Sequence, residues 1–158
     1  YTCVLYFHSM ETRRQMLRVR VTKRIRGHHP RAKGAGAFKV FARAKLNGMD
    51  IFVSSIHDKS QATLATGLPA KGNFNNESMS ELSNELVNWK KVRMIGSAAM
   101  SCAYVASGQF DQYQEKGIFL WDIAAGLSII KAAGGNFKYK SYPEDQFKVD
   151  VIANNNCL

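Results

Sequence analysis

Hydrophobic and polar positions divide the chain into two kinds of pattern, meeting near Ala62. Before that point apolar residues come in short, strand-like runs. Tyr1 to Phe7 is apolar and β-prone, and Leu17 to Val21 alternates Leu-Arg-Val-Arg-Val, a half-buried strand with arginine outward. Lys39 to Lys45 and Met49 to Ser54 flank Asn47-Gly48, which predicts a hairpin. After it the period lengthens. Ala62 to Thr66 reads as a short buried strand closed by Gly67-Leu68-Pro69, and Asn73 to Asn76 as a polar loop. Glu77 to Lys91 spaces Met79, Leu82, Leu86, Val87 and Trp89 for a helix, with acids early and lysines late, as the helix dipole favours. A strand over Val92 to Ile95, a Gly96-Ser97 turn and N-cap, and a small-residue helix over Ala98 to Ala106 follow. Phe110 to Leu120 predicts a strand kinked at Gly117. Trp121 to Gly135 predicts a helix with Asp122 at its N-cap and Gly134-Gly135 at its left-handed end. Asn136 to Lys140 and Phe147 to Ile152 alternate as strands, so the second part predicts an α/β layer beside an antiparallel sheet.

Composition bounds this picture. A chain of 158 residues with 46% apolar content supports one core and one domain. No window is apolar enough for a membrane helix. The apolar start precedes Arg13 and Arg14 rather than following them, the wrong order for a secretory signal. Cys3, Cys102 and Cys157 are odd in number and form no CxxC pair, which suits a reducing compartment, so a cytoplasmic location is expected. The net charge of +10 is uneven: residues 1–33 hold nine basic residues against Glu11 alone, and the rest is nearly neutral. The basic segment lacks the interleaved aromatics of a strand-tracking groove, so nucleic acid is disfavoured as a partner and a solvated edge strand preferred. His8, His28 and His29 have no matching ligand pair for a metal. Lys33 to Phe38 is glycine-rich but lacks the Lys-Ser/Thr of a phosphate-binding loop, and reads as a tight turn.

Three acidic residues have a candidate role. Asp122 is both a helix cap and a carboxylate beside a roomy first turn, where Ala124, Ala125 and Gly126 leave space for a backbone, a phosphate or a metal. Glu115 reads as either a solvated strand charge or a substrate contact, and Asp111 as structural. Trp121, between Leu120 and Asp122 and close to Ile118, reads as core packing.

The series Gly96-Ser97-Ala98-Ala99, Ala106-x-Gly108, Asp111-x-Tyr113-x-Glu115-x-Gly117-Ile118, Trp121-Asp122-x-Ala124-Ala125-Gly126 and Ala133-Gly134-Gly135 resembles the inositol monophosphatase family. Upstream, Lys33 to Phe38, Asn47-Gly48 with Ile51 and Val53-Ser54, and Thr66-Gly67-Leu68-Pro69 are similar to further family segments, as is Val151-Ile152-Ala153 downstream. The resemblance implies a layered α/β/α/β sandwich and a magnesium-dependent phosphomonoesterase acting on an inositol phosphate or related sugar phosphate. It makes Asp122 a metal ligand, and Gly96, Ser97, Ala98 and Glu115 contacts to substrate hydroxyls. A homodimer is left open, and no membrane partner is expected.

The family's upstream glutamate and its Asp-Pro-Ile/Leu-Asp-Gly-Thr motif are not in the chain. The expectation is therefore residues 1–32 as a basic segment unlike the family and residues 33–158 as the C-terminal half of such a domain, without its last helix. No complete catalytic set is expected. A divalent cation requires about six oxygen ligands, so Asp122 alone should bind magnesium weakly, leaving the chain weakly active or inactive. The alternative is a non-catalytic remnant serving as a binding or dimerisation module.

Overall fold

A computed structural model describes residues 41–68 and 75–158, together with the backbone of strands β1 (Val4–Leu5) and β2 (Val19–Arg24). The turn expected over Lys33 to Phe38, the early histidines and Cys3 lie outside the described residues.

The first sheet is an antiparallel meander in the order β1-β2-β3-β4, with β3 at Phe41–Leu46 and β4 at Met49–Asp50. Asn47 and Gly48 both take positive φ, 51° and 89°, as a two-residue hairpin turn requires. The hairpin is where the spacing predicts it. Its second strand is shorter than the expected Met49 to Ser54: β4 ends at Asp50, and one further bond, from the Ile51 amide to the Ala44 carbonyl at 3.0 Å, is the last to β3. Val53 instead donates its amide to the Ala133 carbonyl at 3.2 Å. Strand β2 pairs with β3 from Val19↔Leu46 to Arg24↔Phe41, so the alternating basic stretch does extend this sheet.

The second sheet has the order β6-β5-β7-β9-β8. Strands β5 (Thr63–Thr66), β6 (Lys91–Arg93) and β7 (Gln112–Phe119) are parallel, while β9 (Asp145–Asn154) runs antiparallel to β7 and to β8 (Asn136–Tyr142). Helix α1 (Asn76–Leu86) connects β5 to β6, helix α2 (Ala98–Ala106) connects β6 to β7, and helix α3 (Leu120–Ala132) follows β7 directly.

Period two in β5 shows how the layers stack. Ala65 joins a core with Cys102 and Val105 of α2, Ile123, Leu127, Ile129 and Ile130 of α3, and Val149, Val151 and Ala153 of β9. Ala44, Leu46, Ile51 and Val53 close that core from the other side. Leu64 faces the opposite way, into a smaller cluster with Ala62, Trp89, Leu86 and Val92. Helices α2 and α3 are thus sandwiched between two sheets, and α1 lies on the outer face of the second. This is the expected four-layer α/β/α/β arrangement. Each fully buried Leu or Ile contributes about 1.5–3 kcal/mol, so α3, which buries Ile123, Leu127, Ile129 and Ile130, is the structural centre.

Several local expectations change. Helix α1 ends at Leu86, so Lys90 and Lys91 lie beyond it, Lys91 opening β6. Asp122 is not the N-cap of α3. Phe119 holds that position without a side-chain cap bond, and Asp122 sits in the first helical turn. Gly134 has the left-handed φ of 97° that ends α3. Gly135 serves close approach instead: a Cβ there would lie 2.5 Å from the Asn154 carbonyl oxygen. The space at Gly126 is filled by helix α2, where a Cβ would meet Cys102 Cβ at 2.4 Å. Trp121 is 62% exposed, contrary to a core role. It stacks on Phe119 with ring centroids 4.6 Å apart and touches Phe147 at 5.8 Å.

Candidate substrate cleft

Parallel strands deliver their carboxyl ends to one side of a sheet, and open α/β sheets place ligands there. Strand β5 ends at Thr66, in register with Gln114 of β7. Beyond that edge lies a cleft of about 540 Å³ lined by Thr66, Gly67, Leu68, Met94, Gly96, Ser97, Ala98, Ala99, Ser101, Glu115, Ile118 and Asp122. Gly96, Ser97, Ala98, Glu115 and Asp122, separate in sequence, are brought together here.

One wall is the start of α2. Ser97 caps it as predicted, its hydroxyl accepting from the Met100 amide at 3.3 Å and its carbonyl from the Ser101 amide at 3.0 Å. The small side chains of Ala98 and Ala99 let a ligand approach the N-terminal turn, where the helix dipole favours negative charge or oxygen acceptors.

Glu115 lines the cleft from β7. Tyr113 precedes it by two residues on the same face of β7, and its hydroxyl donates to Glu115 Oε2 at 2.9 Å. The other side of the carboxylate rests on Gly67, where a Cβ would be 2.5 Å from Oε2. A side chain larger than hydrogen at position 67 would displace the acid. Burial raises the Glu115 carboxyl above its usual range, the Tyr113 hydrogen bond works in the opposite direction, and the charge of Asp122 adds to the rise. Burial and the charge of Glu115 push the Tyr113 hydroxyl upward, so it remains a donor. Cys102 is buried and pushed up to about 12, which leaves its thiol inert.

Asp122 is exposed at the mouth of the cleft, one turn into α3. Asp111 is elsewhere and structural. It accepts from the Thr63 amide at 2.6 Å and from the Ser54 hydroxyl, while Asn155 donates to Ser54 Oγ at 3.0 Å and to the Ile56 carbonyl at 2.8 Å. This buried network bolts the segment after β4 to the starts of β5 and β7. The cleft also has apolar lining from Leu68, Met94 and Ile118, to which the sequence reading gives no site role because apolar residues carry no chemical signature.

Sequence and fold both match known proteins. A sequence model of the inositol monophosphatase family covers residues 23–156. The chain belongs to the inositol monophosphatase family. It is 39% identical to an inositol-1-monophosphatase of Mesorhizobium japonicum over 103 residues, 65% of this chain and 36% of that protein. It is 42% identical to the Nus factor SuhB of Vibrio cholerae over 94 residues, 59% of this chain and 35% of that protein. The solved inositol monophosphatase of Anabaena superposes with a TM-score of 0.63 at 30% identity, covering 77% of this chain and 52% of that one. The chain spans about a third to a half of the length of the relatives it matches.

Magnesium, the cofactor the family implies, tests the donor set. Among the described residues no group of three or more His, Cys, Asp or Glu side chains is placed to hold a metal ion. The cleft offers Asp122 and Glu115, and Glu115 is committed to Tyr113. Asp122 lies in the first turn of a helix, where the dipole opposes a cation. The described residues therefore do not by themselves compose a magnesium site. No helix among them is long and apolar enough to cross a membrane.

Proposed function

We propose that this cleft is the substrate-facing part of a phosphomonoesterase site for an inositol monophosphate or related sugar phosphate. The observation that carries the proposal is the meeting of Gly96, Ser97, Ala98, Glu115 and Asp122 around one cavity large enough for a six-membered polyol ring. Glu115, oriented by Tyr113, accepts hydrogen bonds from ring hydroxyls. The Gly96-Ser97-Ala98 turn contacts the same ring, and Leu68, Met94 and Ile118 add apolar lining. Of the two carboxylates that line the cleft, Asp122 is the one left available to a magnesium ion. Binding of the metal by this chain alone is weak, and turnover is weak or absent.

The family relatives named as inositol-1-monophosphatases support this substrate class. The second reading, a non-catalytic binding or dimerisation module, has its own support in the exposed aromatic run of Phe119, Trp121 and Phe147. A cytoplasmic location remains part of the proposal.

Titration of myo-inositol 1-phosphate with magnesium, followed by amide NMR, separates these readings. The proposal expects shifts at Gly96 to Ala99 and at Glu115, weaker in Asp122→Asn, with phosphate release near background. Silence of those amides up to roughly 10 mM ligand, ten times the upper end of ordinary KM values, would sink it. Vigorous magnesium-dependent hydrolysis lost in Asp122→Asn would instead overturn the claim of weak activity. A concentration-dependent dimer in sedimentation, disrupted by Trp121→Ala, without ligand binding, would establish the second reading.

A further inference from the structure

Glu115 and Ile118 both line the cleft, yet they are three residues apart in one strand. A regular strand turns successive side chains to opposite faces, so such a pair could not share one. The register supplies the reason. Glu115 pairs with Val151 and Ile118 with Val149, so β7 uses three residues where β9 uses two. The extra residue is a β-bulge, the device by which strands re-aim side chains.

Gly117 lies inside the bulge with φ +70°. Its amide donates to Asp150 Oδ1 at 2.9 Å. The same oxygen accepts from the Tyr142 hydroxyl at 2.8 Å. The Lys148 ammonium sits 5.0 Å from the centroid of the Tyr142 ring, and Lys148 Cε would be 3.2 Å from a Cβ at position 117. The bulge is thus gripped from the neighbouring β8–β9 hairpin. Helix α3 begins directly after Phe119, so the bulge also sets where Asp122 emerges.

We propose that Asp150 and Tyr142 are positioning residues for the cleft: their hydrogen bonds hold the β7 bulge, and the bulge brings Glu115, Ile118 and Asp122 to one side of the sheet. Neither residue touches the ligand space lined by Asp122. If the same residues ran in regular register without the bulge, Glu115 and Ile118 would part to opposite faces and α3 would start out of phase. The functional consequence rests on the cleft being a phosphorylated-polyol site; the structural claim does not.

The test uses the full 158-residue chain and its Asp150→Ala, Asp150→Asn and Tyr142→Phe variants. Both bonds end on one oxygen, so the amide of Asp150→Asn can still accept them. In Asp150→Ala, hydrogen exchange of the Gly117 amide should quicken at least about tenfold, the scale of one lost hydrogen bond to a charged group. The Glu115, Ile118 and Asp122 amide signals should move with it. Affinity for myo-inositol 1-phosphate should fall by about the same factor. Asp150→Asn should restore all three readouts, and Tyr142→Phe should give smaller shifts of the same signals in a chain that folds even if Asp150→Ala does not. Unchanged Glu115 and Asp122 signals in both Asp150→Ala and Tyr142→Phe would overturn the proposal, as would failure of rescue by Asp150→Asn. If the parent chain ignores the inositol phosphate, the functional reading falls, while the amide shifts still decide the positioning claim.

Discussion

Helices α1 and α2 flank the same strands on opposite faces, and they are held by opposite means. Helix α1 is secured at its end: Asn75 Oδ1 accepts from the Ser78 amide at 2.8 Å, and no residue of the helix is fully buried. Val87, which follows it, is 77% exposed. Helix α2 has a cap of the same kind in Ser97, but it also buries Ser101, Cys102, Ala103, Val105 and Ala106. A cap sets where a helix starts; packing sets where it stands. The start of the packed helix lines the candidate cleft, and the proposed contact with ligand hydroxyls needs positioning tighter than a cap alone can achieve.

The sharpest way to break this contrast is at the contact of α2 with α3. Gly126→Val would force atoms into Cys102, whose Cβ is already 2.4 Å from an ideal Cβ at that position. We expect a loss of about 3 kcal/mol or more, read as a lowered urea midpoint. An unchanged midpoint would show that α2 can slide, and that its packing does not locate the cleft.

A smaller effect is expected at Glu115. Tyr113→Phe removes the donor to Glu115 and should cost about 1–2 kcal/mol. It also has a pH signature. The folded chain holds the Glu115 proton more tightly than the unfolded chain, because burial disfavours the carboxylate. Stability therefore falls as pH rises from the ordinary glutamate value through the raised folded one, and is level above it. Tyr113→Phe removes the bond that favours the carboxylate, so the window should extend upward. A carbon-13 titration of the Glu115 carboxyl that stays put, or moves down, would refute this.

The smallest effects belong to α1. Asn75→Ala should cost about 1 kcal/mol, the usual value of an N-cap, while Val87→Ser should change stability by no more than about 0.5 kcal/mol. Amide signals around Ser97 and Glu115 should not respond to either. If Val87→Ser proved as damaging as Gly126→Val, the two helices would not differ in the way described.

Much of this was legible along the chain where the signal is local. The Asn47-Gly48 hairpin needs two residues at positive φ, and Asn and Gly are the residues that accept it. Ser97 precedes a helix of small residues, and the kink at Gly117 is the observed bulge. The misreadings fall where a neighbour decides. Asp122 has the chemistry of a cap, but α3 begins at Leu120, directly after β7, so Asp122 falls inside the first turn instead of before it. Trp121 has apolar neighbours in sequence, yet its position in the first turn points it to the surface, where it finds Phe119 and Phe147.

Sequence alone determined the order of the main elements, the α/β class and the family, and it singled out Gly96, Ser97, Ala98, Glu115 and Asp122, five of the residues that line the cleft. Those depend on local propensity and on motif spacing, both written in contiguous residues. Only the tertiary structure decided that Gly67 makes room for Glu115, that Gly126 makes room for Cys102, and that Asp150 and Tyr142 grip the bulge. Each of these joins positions far apart in the chain, and glycine, aspartate and tyrosine carry no mark of a distant partner until the strands are in register.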